Sequence, residues 1–261
     1  TSQLFERAAS LLLGCNLIAR EQGISGNISI GLWVGGDTTP NTNSDAVNQY
    51  EELQRGGRKY NFVLLKCPCC GAQIGPTDLT GSSAIKGLYN NNGVVKFVCE
   101  NPDCEFFADF DEDDEPSQYL PVYVIDDEIF ENTPTIVLGT VDKFAMIPWK
   151  SQVADKEKIS RIFGFRVVGK RLTRVKPPEL IIQDELHLIA GPLGSMVGMY
   201  EALVQTLCND YKHGEQFFSE KYIAPKIVAS SATITRAGDQ IRNLYGIDKY
   251  EVFPAQGIDI G

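Results

Sequence analysis

Glu179-Leu180-Ile181-Ile182-Gln183-Asp184-Glu185-Leu186-His187 is the stretch that decides how this chain folds. An apolar run of strand length ends, and two carboxylates follow at once. A short continuous apolar run reads as a buried strand. In open α/β sheets, ligands sit beyond the carboxyl ends of the strands, so Asp184 and Glu185 are expected to project into a site. Adjacent acids suit nucleotide hydrolysis. Asp184 would hold Mg²⁺, directly or through water, and Glu185 would polarise the attacking water. His187 is read as a contact to the nucleotide or to the Ser-Ala-Thr motif, reporting the state of the site. A surface turn carrying two acids is the plain alternative. Only His187 and His213 occur in the chain, and no His-Glu-x-x-His exists, which excludes a zinc-peptidase reading.

A second apolar run ends in small hydroxyl residues: Lys226-Ile227-Val228-Ala229-Ser230-Ser231-Ala232-Thr233. Helical spacing over Gly191–Cys208 fills much of the interval, so the spacing predicts a strand–helix–strand crossover. Further out, helices are expected over 2–21, 45–54, 142–150 and 236–245. The first should bury a stripe of Leu4, Ala8, Leu11, Leu12, Cys15 and Leu17 or Ile18. Strands are expected over 28–34, 62–65, 94–98, 122–125 and 135–138. Alternating strands and helices imply an α/β layered fold with a mainly parallel sheet.

The cysteines add a second theme. Seven are present, and five of them fall between Cys67 and Cys104. An odd, clustered set points to metal rather than a disulfide framework. Cys67-Pro68-Cys69-Cys70-Gly71 is a knuckle in which Cys67 and Cys70 can face one ion, with Gly71 permitting the bend. Cys99 and Cys104 supply the second pair. Four thiolates fill a tetrahedral structural zinc site and leave no open position for catalysis. Cys69 is expected to be a non-ligand, and Cys15 and Cys208 to be core residues.

The formal net charge is −10, which by itself argues against nucleic acid. Its distribution changes that reading. Residues 100–131 hold thirteen acids and no Lys or Arg, whereas residues 143–176 hold ten Lys and Arg against Asp155 and Glu157. The basic stretch could follow a phosphate backbone, and the acidic run Asp109–Glu115 reads as a mobile loop. No signal peptide is evident, and no apolar run reaches the roughly 20 residues that span a bilayer. The expectation is a soluble, cytoplasmic protein with no membrane partner.

Asp-Glu-x-His followed one crossover later by Ser-Ala-Thr resembles the superfamily 2 nucleic-acid helicases. Ile28–Gly35, Leu138–Ala145 and Gln183–Ile189 are similar to the helicase component of the DISARM antiphage system and its relatives. The resemblance implies a RecA-like, P-loop NTPase type parallel sheet with helices on both faces, interrupted by a zinc ribbon. It implies ATP and Mg²⁺ as cofactors of the parent protein. It also implies catalytic roles for Asp184, Glu185 and His187, and a coupling role for Ser231, Ala232 and Thr233. Thr140 resembles a threonine that touches the nucleic-acid backbone, with Lys143 and Trp149 after it. DNA is the expected nucleic acid, and other defence proteins are expected partners.

ATP motors also need Gly-x-x-x-x-Gly-Lys-[Ser/Thr]. The near match, Gly164-Phe165-Arg166-Val167-Val168-Gly169-Lys170-Arg171, fails. Arg171 stands where a hydroxyl should meet Mg²⁺, and Phe165, Val167 and Val168 suit a strand better than a tight loop. Thr1–Arg7 resembles the segment after motif Ia, so the phosphate loop is expected upstream of Thr1 and the sheet is expected to show an exposed edge. The expected organisation is 1–65, the start of the first motor lobe; 66–108, a zinc-ribbon insertion; 109–121, an acidic loop; 122–252, the rest of the lobe; and 253–261, a linker towards a second lobe. The competing reading is a non-catalytic zinc-ribbon scaffold that binds nucleic acid or a partner on a degenerate motor fold.

Overall fold

The computed structural model describes residues 2–78, 85–147, 161–168, 171–174, 176–189, 192–208, 225–231 and 237–253. It divides into two compact units, Thr1–Phe144 and Ala145–Gly261. Both are mixed α/β. Trp149, Lys170, His213, Ala232 and Thr233 lie outside the described residues.

The first unit opens with helix α1 (Ser2–Glu21). The helix is where periodicity puts it, but its buried face is Phe5, Ala9, Leu12, Leu13 and Asn16. Leu4, Leu11 and Ile18, expected in the buried stripe, are exposed. Two contacts set the rotation. Phe5 is fully buried, and Asn16 exchanges two hydrogen bonds with the backbone of Ile28, at 2.8 and 2.7 Å. That exchange leaves a buried amide satisfied and fixes the entry to strand β1 (Ile30–Trp33).

Strand β1 is central to a parallel sheet. Strand β6 (Val122–Tyr123) pairs on one side and strand β7 (Ile136–Gly139) on the other, with Ile30 opposite both Val122 and Ile136. Helix α2 (Asn43–Gln54) starts where Thr42 accepts the amide of Asp45, an ordinary N-cap. Helix α3 (Asp126–Asn132) is an addition to the expected elements. It carries three acids in its first turn, favourable at a helix N-terminus. The helix and Pro134 beyond it pack so closely on β1 that a Cβ on Gly31 would lie 3.2 Å from Ile129 and 2.9 Å from Pro134. Helix α4 (Val141–Ala145) follows β7, and Trp33 meets the rings of Phe130 and Phe144 edge-on.

Between β1 and β6 the chain forms short antiparallel ribbons. Strand β2 (Gly75–Pro76) pairs with β3 (Ile85–Lys86), and β4 (Leu88–Asn91) with β5 (Val94–Phe97). Phe62–Leu65 is not the expected strand. Val63 takes φ +65° and the amide of Leu64 bonds back to Phe62, which turns the chain and buries both Phe62 and Leu64. The acidic run, expected as a mobile loop, is a closed turn. Phe110 bridges Pro116, and Asp111 accepts the amides of Asp113 and Glu115. Cys67, Cys99 and Cys104 belong to the same apolar core as Phe5, Ile30 and Val122.

In the second unit, β8 (Phe165–Val168) pairs antiparallel with β9 (Arg171–Arg174). Within the rejected segment, Phe165–Val168 and Arg171 are thus strand residues, as the bulky side chains led one to expect. Strand β10 (Leu180–Gln183), helix α5 (Pro192–Cys208) and strand β11 (Lys226–Ala229) follow, and β10 and β11 are parallel neighbours in register Ile181–Ile227. Helix α6 (Ala237–Tyr245) packs on α5. Leu180, Ile182 and Val228 are exposed on this pair. Among the described residues, no helix is long and apolar enough to cross a membrane.

Candidate functional site

The four cysteines singled out from sequence converge. The sulfur atoms of Cys67, Cys70, Cys99 and Cys104 all lie within 4.8 Å of one another. Cys67 Sγ is 4.0 Å from Cys104 Sγ, and Cys70 Sγ is 3.6 Å from Cys99 Sγ. A tetrahedron with zinc–sulfur bonds of about 2.3 Å has edges of about 3.8 Å. The four thiols therefore fit a metal such as zinc.

Local sequence builds the cradle. Lys66 bridges Gln73, the amide of Gly71 returns to the carbonyl of Cys67, and Gly71 sits at φ +76°, where a side chain would be strained. The second pair is a matching turn. Cys99 bridges Phe107, the amide of Cys104 bonds Asn101, and the amide of Phe106 donates to Cys104 Sγ. Cys69 is exposed and stands outside the four.

Burial pushes the Cys67 thiol up to about 11 and lifts Cys99 well above the usual thiol range. Burial acts in the same direction on Cys70, but hydrogen bonds with the Asn101 side chain, the Ala72 backbone and the Cys99 and Cys104 thiols together outweigh it and bring that thiol down to about 7. From α1, the Arg20 guanidinium lies 4.7 Å above the ring of Phe106, tying the helix to this turn.

The acidic strand end is the second candidate. Asp184 and Glu185 leave the carboxyl end of β10, and Ser230 leaves the end of β11 beside it. The Ser230 hydroxyl donates to Asp184 Oδ1, which also accepts the amide of Glu185 at 3.0 Å. No hydrogen bond among the described residues occupies Asp184 Oδ2. The backbone laces the same two ends: Ser230 N bonds Gln183 O at 2.9 Å, and Leu186 N bonds Ser230 O at 2.8 Å.

Glu185 takes φ +57° and ψ +43°. A left-handed conformation is uncommon for a residue with a side chain, and such residues gather at functional sites. The carboxylate is exposed, and its Oε2 lies 3.2 Å from Nδ1 of His187. Asp184, Glu185 and His187 are thus brought together. Ser231 is half-buried one residue beyond Ser230.

Sequence reasoning missed Ser230, the hydroxyl that reaches Asp184, although it stands next to the serine that was chosen. It also missed α6. Gln240 Nε2 donates to the carbonyls of Leu186 at 2.9 Å and Ile189 at 3.3 Å. The Tyr245 hydroxyl donates to Gln183 Oε1.

In the first unit, Thr140 and Lys143 stand at the carboxyl end of β7. The amide of Thr140 bonds Trp33 O. The Lys143 ammonium pairs with Asp126 at 2.6 Å and donates to Asn41 at 3.0 Å. These three residues follow the three parallel strands, one each, so the ion pair joins their carboxyl ends.

No protein-family model matches the chain. The chain is similar along its whole length to the DISARM protein DrmA of Bacillus paralicheniformis, with 31% identity over 285 aligned positions. The alignment takes in 100% of this chain and 24% of that protein, so the chain spans about a quarter of the relative's length.

Proposed function

We propose that this chain is part of the first, RecA-like lobe of a superfamily 2 helicase or translocase that works in antiphage defence with DISARM-type partners. The carrying observation is the pair of parallel strands β10 and β11, whose adjoining ends hold Asp184, Glu185 and His187 beside the hydroxyl of Ser230. Similarity to the DISARM protein DrmA supports the defence setting. The exposed apolar positions Leu180, Ile182 and Val228 support a larger parent in which further structure covers this pair.

In that parent, Asp184 would hold Mg²⁺ of Mg-ATP, with Ser230 fixing which oxygen remains available. Glu185 would accept a proton from the attacking water, and His187 would orient Glu185 through the Nδ1 contact. Ser231, Ala232 and Thr233 would carry the nucleotide state onward. The metal's part is to neutralise charge on the phosphates. The phosphate-gripping loop belongs to the longer parent, because the Gly164–Arg171 segment lacks the chemistry. Thr140 and Lys143 would border the nucleic-acid path, DNA in this reading. The ion pair of Lys143 with Asp126 supports a part for that lysine in holding the rim in shape. Zinc held by Cys67, Cys70, Cys99 and Cys104 would be structural.

The test is ATP hydrolysis by the full-length protein with and without DNA. DNA should stimulate hydrolysis, and Glu185→Gln should lower it by a factor on the order of 100 or more. A stimulated rate that survives Glu185→Gln would remove the role given to that acid. Zinc binding without any nucleotide hydrolysis would favour the scaffold reading.

A further inference from the structure

The acid pair is gripped on both sides by one helix. Gln183 lies immediately before Asp184, and its side-chain carbonyl accepts the Tyr245 hydroxyl. Leu186 and Ile189 lie after Glu185, and their carbonyls share the Gln240 amide. Both donors come from α6, and between them on the same helix Arg242 bonds Asp248 at 3.0 Å in the segment that follows.

The turn Leu186–Leu188 is held by the buried side chain of Leu186 together with a few hydrogen bonds. It is a single 3-10 turn of three residues whose start is the left-handed Glu185, and no side chain caps it. A short turn of this kind is marginal by itself. The amide of Leu186 on Ser230 and the two bonds from Gln240 tie it to the neighbouring strand end and helix.

We infer that Gln240 is a positioning residue for Glu185: its amide clamps the Leu186–Ile189 turn, and so holds Glu185 and His187 where the proposed hydrolysis needs them. The inference rests on the nucleotide-hydrolase reading above. Tyr245 does the corresponding work on the Asp184 side through Gln183. A shift in α6, which Asp248 would feel through Arg242, would then move the acid pair without contact to the nucleotide.

The experiment compares wild type, Glu185→Gln, Gln240→Glu and Gln240→Lys in the full-length protein, with ATP and DNA. Gln240→Glu keeps the shape but turns the donor into an acceptor facing two carbonyls. It should lower kcat about 100-fold, the scale expected when a catalytic group is misplaced by an ångström, with KM for ATP little changed. Gln240→Lys restores a donor and should recover much of kcat. Amide hydrogen exchange supplies a reading independent of activity: Leu186 and Ile189 should exchange about tenfold faster in Gln240→Glu.

If Glu185→Gln is inactive while Gln240→Glu keeps wild-type kcat and wild-type exchange at Leu186 and Ile189, the positioning role is wrong and the hydrolase reading stands. If wild type does not hydrolyse ATP, or Glu185→Gln hydrolyses it normally, the hydrolase reading and the role of Gln240 within it fall together. A Gln240→Glu protein whose KM rises while kcat holds would also overturn the inference.

Discussion

The Ser230 hydroxyl donates to the carboxylate of Asp184 across two parallel strands that are separated by an entire helical crossover. This bond ties the two strand ends together. It reaches Oδ1, which also accepts the amide of Glu185, so the Asp184 carboxylate is held through one oxygen. Ser230→Ala is therefore expected to weaken Mg-ATP binding more than it slows the bound complex. Hydrolysis measured against Mg²⁺ concentration checks this: the Mg²⁺ requirement should rise, and kcat at saturating Mg²⁺ should fall less.

Metal content tests the cysteine set. About one zinc ion per chain is expected, lost in Cys67→Ser and retained in Cys69→Ser, because Cys69 stands outside the four sulfurs. The pH dependence follows from burial. Cys67, pushed up to about 11, and Cys99, raised by burial as well, hold protons at neutral pH that a metal must displace. Affinity should therefore rise with pH, about tenfold per unit for each proton displaced, and fall on acidification. Competition with a chelator between pH 6 and 8 measures the slope, and a flat profile would contradict it.

Glu201, on α5, is buried, and its Oε2 has no hydrogen bond among the described residues. Burial pushes its carboxyl up to about 7. The folded state then binds this proton more tightly than the unfolded chain does. The group's contribution is most favourable below the unfolded pKa, near 4.3, and declines as pH rises towards 7. The penalty above pH 7 is on the order of 4 kcal/mol. Glu201→Gln should stabilise the protein at pH 8 and have little effect at pH 4, as denaturant titrations at both pH values would reveal.

Lys143 and Asp126 form an ion pair with side chains only 17% and 11% exposed. Removing the lysine takes the cation away from a nearly buried carboxylate, so Lys143→Met should destabilise the first unit by about 3 kcal/mol. Adding Asp126→Asn should recover part of that loss. Equilibrium unfolding of the single and double variants decides it. A single variant with unchanged stability would return Lys143 to the role of a free phosphate ligand.

Much of this was legible in the chain because periodicity and spacing are local. Ser2–Glu21, Ile30–Trp33, Leu180–Gln183 and Lys226–Ala229 are elements that their own residues announce, and the four cysteines carried their geometry in their turns. What was hidden depends on tertiary contact. The phase of α1 is set by Asn16 reaching Ile28, and Phe62–Leu65 bends because Val63 turns left-handed under Tyr60, whose hydroxyl bonds Leu64 O at 2.6 Å. Helix α3 is short, and only its three leading acids and Pro134 hinted at it. Gln240 and Tyr245 carry no motif, since a side-chain amide bonding a distant carbonyl has no sequence spacing of its own.

The most direct measurement separates the two acids in the full-length protein, using Mn²⁺ as a spectroscopic substitute for Mg²⁺ together with ATP. Glu185→Gln should bind Mn-ATP with near wild-type affinity and fail to turn it over. Asp184→Asn should lose Mn²⁺ affinity by about tenfold or more, the scale of removing one charged ligand. If both variants bind Mn-ATP and hydrolyse it as wild type does, the acids at the end of β10 are not the catalytic pair.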